Sequence, residues 1–432
     1  MTLYTHIEEL LTFSGVVAKD GRRPREEDLG IIRDAAMIAG NRNNFTKGES
    51  RRSGDSQILW VGPRRQVRSA LRTLAKTHTT SKVREVNLHA PTVMPAFIDC
   101  HTHLVFAGDR AHEFELRNQG ATYQEIAAKG GGIRYTVQQT RETSTKQLVK
   151  LAEERLRRHL VQGVTTVEIK SGYGLCEHDE IRILEVIKRL KAKTTARIIA
   201  TYLGPHAPPP GMNKDEYFRE IVTSTLLKVK AKKLAERVDI FVEENYYSLT
   251  EAREYVKRAQ ELGFAVSAHA DQLTRTGASR ELAKLGAQSV DHCVQISNAD
   301  VQDLAQSDAV SVLLPSSDFY LKMKYPSARM LIDAGARVAL ATDYNPGTSP
   351  TLDLSLIGVL ARLEMRMSQP EVLSAWTYNA ARALGLHHQI GALMSDFSAD
   401  FVVLNENWRR LFYEVGYHPV KQTYCKGKPI RF

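Results

Sequence analysis

No apolar run in this chain approaches the roughly 20 residues that a membrane helix needs, and no membrane partner is expected. The first residues, Met1 to Glu9, carry neither the basic nor the apolar segment of a secretory signal, which makes the cytoplasm the expected location. Cysteine is scarce. The four present (Cys100, Cys176, Cys293 and Cys425) form no Cys-x-x-Cys pair, which excludes a disulfide framework and suits a reducing compartment. No Gly-x-Gly-x-x-Gly follows the first barrel-type strand, which argues against a dinucleotide site. The one glycine cluster, Gly130-Gly131-Gly132, follows a helix-like segment and reads as a flexible loop near the site. Nor is there a recognised nucleic-acid motif, although the formal net charge is +10. The basic residues are dispersed, and Lys228, Lys230, Lys232 and Lys233 read as the solvated face of an amphipathic helix. No nucleic-acid partner is expected; a positive field suits a small anionic substrate.

What is present is an ordinary globular composition, 43% hydrophobic and 25% charged, over 432 residues, enough for a large core. From about residue 93 to 390, β-type apolar runs alternate with helical patterns. Strands are expected at 93–99, 165–169, 197–202, 238–242, 264–268, 289–291, 310–314 and 338–341. Helices are expected at 147–160, 179–190, 251–262, 280–285, 299–306 and 328–334. Eight such units predict an α/β protein with a (β/α)8 TIM-type barrel, whose functional residues sit at the carboxyl ends of the strands. The flanks read as edge strands (35–39, 57–61, 86–88, 401–404, 422–425 and 430–432), with a mobile loop at Asn41–Asp55. The expected organisation is one small β-sandwich domain built from both termini, residues 1–92 and 393–432, around a barrel at 93–392.

The strand ends carry the chemistry. Asp99-Cys100-His101-Thr102-His103 closes the first run, and two imidazoles one residue apart on extended chain point to the same side. His269 ends the fifth strand, Asp291-His292 the sixth and Asp343 the eighth. Three imidazoles (His101, His103, His269) and the Asp343 carboxylate can hold one divalent metal ion and leave a position for water, whose pKa then falls to about 7 in favourable sites. That donor set suits zinc, iron(II), manganese or nickel.

These features resemble the amidohydrolase superfamily. The stretches Asp99–Arg110, Glu113–Tyr123, Gly130–Ile133, Lys170–Leu175, Tyr202–Ala207, His269–Leu273 and Thr342–Thr348 are similar to the imidazolonepropionase family within it. The resemblance spans about residues 90–405. It implies hydrolysis of 4-imidazolone-5-propanoate to N-formimino-L-glutamate in histidine degradation, with metal-activated hydroxide as nucleophile. It also implies one zinc or iron ion on His101, His103, His269 and Asp343, and a homodimer. Substrate contacts are implied for Arg110, Tyr123, Tyr173, His206 and Gln272, and for Asn345, Gly347 and Thr348. His292 is implied beside the water. Chemically, a guanidinium suits the propionate, His206 or His292 is expected to donate to the developing oxyanion, and Asp343 to shuttle the proton.

The chain departs from the family at Gln272, where some members carry a glutamate, at Pro205 before His206, and at Ala96 after a proline. Asp271 is a spare carboxylate. Two other readings remain. One is a different amidohydrolase, a purine or pyrimidine deaminase or a hydantoin-type cyclic amidase; the other is a catalytically inactive binding protein. Lys170 lies at the second strand rather than the fourth, where binuclear relatives carry a carboxylated lysine, so a single ion is expected.

Overall fold

In the computed structural model, residues 1–41, 55–77, 83–121, 125 and 130–430 are described. The expected loop at Asn41–Asp55 falls almost wholly outside them, as does Tyr123. The strands, in chain order, are β1 (Thr2–Leu11), β2 (Ile31–Gly40), β3 (Gln57–Pro63), β4 (Arg84–Pro95), β5 (Phe97–Asp99), β6 (Val164–Lys170), β7 (Arg197–Tyr202) and β8 (Arg237–Val238). Then follow β9 (Phe241–Val242), β10 (Ala265–Ala270), β11 (Ser289–His292), β12 (Val310–Leu313), β13 (Arg337–Leu340), β14 (Phe401–Leu404), β15 (Val420–Cys425) and β16 (Lys428–Pro429). The chain forms two compact units: Met1–Ile98 with His159–Thr165 and Leu354–Phe432, and Asp99–Arg158 with Thr166–Asp353.

The terminal strands form one seven-stranded sheet in the order β16-β15-β14-β4-β1-β2-β3. Antiparallel pairing of β14 with β4 joins the two ends of the chain (Val403 opposite Val93, Val402 opposite Met94). Tyr4, Ile7, Met37, Val93 and Phe401 share a core cluster, and Leu3, Ile38 and Ala70 another. The strand β1, which pairs with β4 on one side and β2 on the other, has no clean alternation in sequence. A register shift between Tyr4 and Ile7, with His6 at φ 57°, breaks its period of two.

The expected strand at 93–99 is really two. Val93 and Met94 pair in the terminal sheet, while Ala96 donates to the Asp400 carbonyl and Phe97 to that of Gly163, so the run changes sheets at Ala96. The remaining strands run parallel in the order β13-β12-β11-β10-β8-β7-β6-β5, with β9 continuing beside β10. β6, β11, β12 and β13 are buried at every position, so they show no alternation of apolar and solvent-facing residues, and the charged side chains they carry, Glu168, Lys170, Asp291 and Arg337, are buried with them. Capping boxes start the intervening helices Leu249–Glu261 (Ser248 with Glu251) and Asn298–Gln306 (Ser297 with Asp300). The barrel closes where its first and last strands end. Asp343 N donates to His101 O and His103 N to Tyr344 O, both at 3.0 Å. Beneath them Thr342 Oγ1 donates to Asp99 Oδ2 at 2.6 Å. Among the described residues no helix is long and apolar enough to cross a membrane.

Candidate metal centre and active site

Each group marked at a strand end converges on one point in the second unit. His101 Nε2 and His103 Nε2 both lie 3.5 Å from Asp343 Oδ1, and His269 Nε2 lies 3.3 Å from His103 Nε2. The three histidines offer ligand atoms all within 4.8 Å of one another, and all three are buried. The backbone is strained locally to achieve this: Asp271, His292, Cys293 and Asp343 all have φ between 50° and 77°, unusual for residues with a Cβ.

The remaining ring nitrogens fix which way the lone pairs point. His101 Nδ1–H donates to Asp291 Oδ2 at 2.6 Å, and His269 Nδ1–H to Asp239 Oδ1 at 3.0 Å. A carboxylate can only accept, so both rings present Nε2 lone pairs to the shared centre. His101 Nε2 is buried with no hydrogen-bond partner. Burial, reinforced by Lys170 for His101 and by His206 for His103, holds both imidazoles well below the ordinary histidine range, in the neutral form that a metal requires. Neutral nitrogens facing each other at 3.3 Å beside an orphaned acceptor and a carboxylate form a donor set that fits a divalent cation.

Over this centre opens a cavity of about 500 Å3 whose wall includes Arg110, Tyr173, His206, Gln272, Asn345 and Thr348, together with His292 and Asp343. Arg110 is buried and donates from Nε to Thr136 Oγ1 at 2.9 Å. Its guanidinium lies against Gly347, where a Cβ would stand 2.6 Å from Arg110 Cζ. Gly347 itself lines a neighbouring cavity beside Arg110 rather than the main one. Asn345 is engaged in building its loop: Oδ1 accepts from Gly347 N and Thr348 N, and Nδ2 donates to Asp343 O. The Tyr173 loop is organised by Glu180, whose carboxylate accepts from the backbone N–H groups of Gly172, Gly174 and Leu175. The glycine cluster does lie near the site. Gly132 N donates to Glu113 Oε1, and Gly132 precedes the helix Ile133–Glu142, which supplies Thr136 to Arg110.

Two expectations are corrected by the hydrogen bonding. His206 Nδ1–H donates to Gly172 O at 2.9 Å, and burial followed by His269 lowers its pKa to about 3. The ring is therefore neutral and its Nε2 is an acceptor, not the oxyanion donor expected. Gly172 permits this approach, because a Cβ there would sit 2.8 Å from His206 Nδ1. Asp271 is not spare either: Oδ1 accepts from Thr276 N, Thr276 Oγ1 and Gly277 N, and Oδ2 from Ser279 N, so it shapes the loop after β10. His292 remains the imidazole with a free choice of tautomer; it is buried with Nδ1 unpartnered, its ring centroid 5.3 Å from that of His269. Burial pushes the Asp343 carboxyl up to about 7, against the pull of His269 and hydrogen bonds from Asn345 and Ser317.

Sequence reasoning passed over the groups behind the ligands: Asp239, Glu168 and the role of Asp291. The signal was there, in charged residues two apart within the otherwise apolar Val164-Thr-Thr-Val-Glu-Ile-Lys170.

The sequence matches the amidohydrolase family over residues 92–430. It is 46% identical to an imidazolonepropionase of Bdellovibrio bacteriovorus, covering 99% of this chain and 96% of the relative. It is 37% identical to an imidazolonepropionase of Geobacillus kaustophilus, covering 98% and 96%. In fold it is similar to the zinc complex of atrazine chlorohydrolase from Arthrobacter aurescens, with a TM-score of 0.71 at 15% identity over 99% of this chain and 95% of that one. The strand-end histidines, the closing aspartate and these full-length similarities agree: this chain belongs to the amidohydrolase family and, within it, to the imidazolonepropionases.

Proposed function

We infer that the chain hydrolyses the ring C–N bond of 4-imidazolone-5-propanoate, giving N-formimino-L-glutamate, as a step of histidine degradation. Beside the full-length relatives, one observation carries the choice of substrate: a buried guanidinium, Arg110, set in the wall of the cavity that the metal ligands floor. His101, His103, His269 and Asp343 would hold one zinc or iron ion. When bound, such an ion supplies Lewis acidity, acidifying water and polarising a carbonyl.

The protein groups do the rest. Arg110 pairs with the propionate and sets the ring's position along the cavity, a geometry for which a planar fork is suited. His206 accepts a ring N–H through Nε2, and Tyr173, whose ring lies 5.5 Å from that of His206, closes the same wall. Gln272, which has no basic form to offer, hydrogen-bonds the substrate. His292 donates to the carbonyl oxygen as charge develops. Asp343 takes the proton of the attacking water and returns it to the departing ring nitrogen. Asn345, Gly347 and Thr348 complete the carboxylate end, Gly347 through its contact with Arg110. Tyr123 belongs to the same set by resemblance.

The reading extends to a cytoplasmic homodimer, closed two-fold pairs being the commonest assembly. Its test is turnover of freshly prepared 4-imidazolone-5-propanoate, followed by loss of ultraviolet absorbance, with metal content measured on the same sample. Loss abolished by chelation and restored by zinc or iron supports it. No turnover by metal-loaded protein overturns it and moves the search to other cyclic amides.

A further inference from the structure

Lys170 is the last residue of β6 and is buried within the barrel. Its alternation with Glu168 puts both side chains on the same side of the strand. Lys170 Nζ donates to Glu168 Oε1 at 2.8 Å and to Asp239 Oδ2 at 2.6 Å, and lies 3.9 Å from Asp291 Oδ2. Two of these carboxylates are the ones that hold His269 and His101. Asp239 divides its oxygens between the tasks. Oδ2 takes the ammonium and Ser267 Oγ, while Oδ1 takes His269 Nδ1–H and the His269 backbone N–H. The one ammonium thus ties together the two carboxyl groups that hold the His101 and His269 rings.

We propose that Lys170 is a positioning residue for the metal centre, orienting His101 and His269 at one remove through Asp291 and Asp239. This rests on the metal site proposed above. The same contacts deny Lys170 the role of a bridging carbamate. A carbamate forms by attack of a neutral amine on carbon dioxide, whereas this nitrogen is an ammonium committed to a cage of carboxylates.

Lys170→Met keeps the length of the side chain and removes its charge and donors. Zinc affinity, read by chelator competition, is expected to fall about 10–100-fold, the usual effect of removing an outer-shell partner. In apoprotein, the ring 15N signals of His101 and His269 should lose their single-tautomer pattern. His206, anchored on Gly172 O, should keep its own, which general loosening would not allow. At saturating zinc, kcat should fall with little change in KM. Wild-type zinc affinity in folded Lys170→Met, or His101 and His269 signals unaltered, overturns the proposal. If that variant does not fold, Lys170→Arg decides: it retains the charge but splays the donors, so an affinity equal to wild type refutes positioning and a loss of tenfold or more supports it. Failure of the metal reading is a separate result, namely wild-type protein that takes up no stoichiometric ion.

Discussion

Replacing Gly347 by alanine isolates the placement of the Arg110 guanidinium from its charge. Gly347 is absent from the positive-φ positions, so its backbone accepts alanine without strain. The new Cβ would stand 2.6 Å from Arg110 Cζ, whereas carbon atoms rest at about 3.5–4.0 Å. The guanidinium must therefore withdraw by roughly 1 Å, which a long side chain tethered at Nε to Thr136 can do without disturbing the fold. A displacement of that size costs up to about 100-fold when it misaligns a bound substrate. Loss of one hydrogen bond to a charged group, about 1.5–3 kcal/mol, gives a similar figure. For Gly347→Ala we expect KM for 4-imidazolone-5-propanoate to rise between 10- and 100-fold, with kcat changed less than threefold and the melting temperature nearly unchanged. A ring analogue lacking the propionate should be handled as by wild type. Steady-state kinetics on both compounds decides. An equal loss on the two, or a loss confined to kcat, refutes the assignment of Arg110 to the carboxylate.

Other outcomes follow from the same geometry. His269→Ala removes a nitrogen from the ligand set, so metal and activity should vanish together; full activity with bound metal would exclude it as a ligand. Gln272→Glu supplies a carboxylate where some family members carry one, and on the proposal that Asp343 handles the proton kcat should change little; a gain of tenfold or more would show that this chain lacks its base. Asp318 is buried with neither carboxyl oxygen hydrogen-bonded, and burial, then the Asp343 charge, pushes its pKa up to about 8. The folded state thus keeps a proton that the unfolded chain releases near pH 4. Stability from this group falls as pH rises from about 4 to about 8, by up to about 1.4 kcal/mol per unit, and is level above that. Asp318→Asn should therefore gain on wild type in melting temperature with rising pH, the gap closing toward pH 4; parallel curves would refute the assignment.

What was legible in the sequence was what strand periodicity and strand ends encode. The barrel, the terminal sheet and the strand-end positions of His101, His103, His269 and Asp343 are local statements, each readable from an apolar run and the residue that ends it. What was illegible depends on partners distant in the chain. Whether Val93 and Phe97 share a strand is decided by Asp400 and Gly163, which draw the backbone to different sheets on either side of Ala96. Whether Asp271 is a base or a loop organiser is decided by four donors at residues 276–279. His206 looks identical as donor or acceptor until Gly172 O is seen to accept a hydrogen bond from its Nδ1–H. The strand β1 was hidden by its own bulge, which shifts the side-chain alternation mid-strand.

The closure of the barrel has a consequence for how the protein matures. Asp99 and Thr342 are 243 residues apart, and the seam they help to tie is the one that brings Asp343 to His101 and His103. A growing chain that has emerged only as far as β12 possesses every histidine of the cluster but not its carboxylate. Joining such remote segments is among the slowest events in folding. On the proposed ligand set, capture of an ion with its full complement of donors is therefore postponed until the last barrel strand is in place. Metal loading, measured during refolding, would serve as a clock for the final step rather than the first.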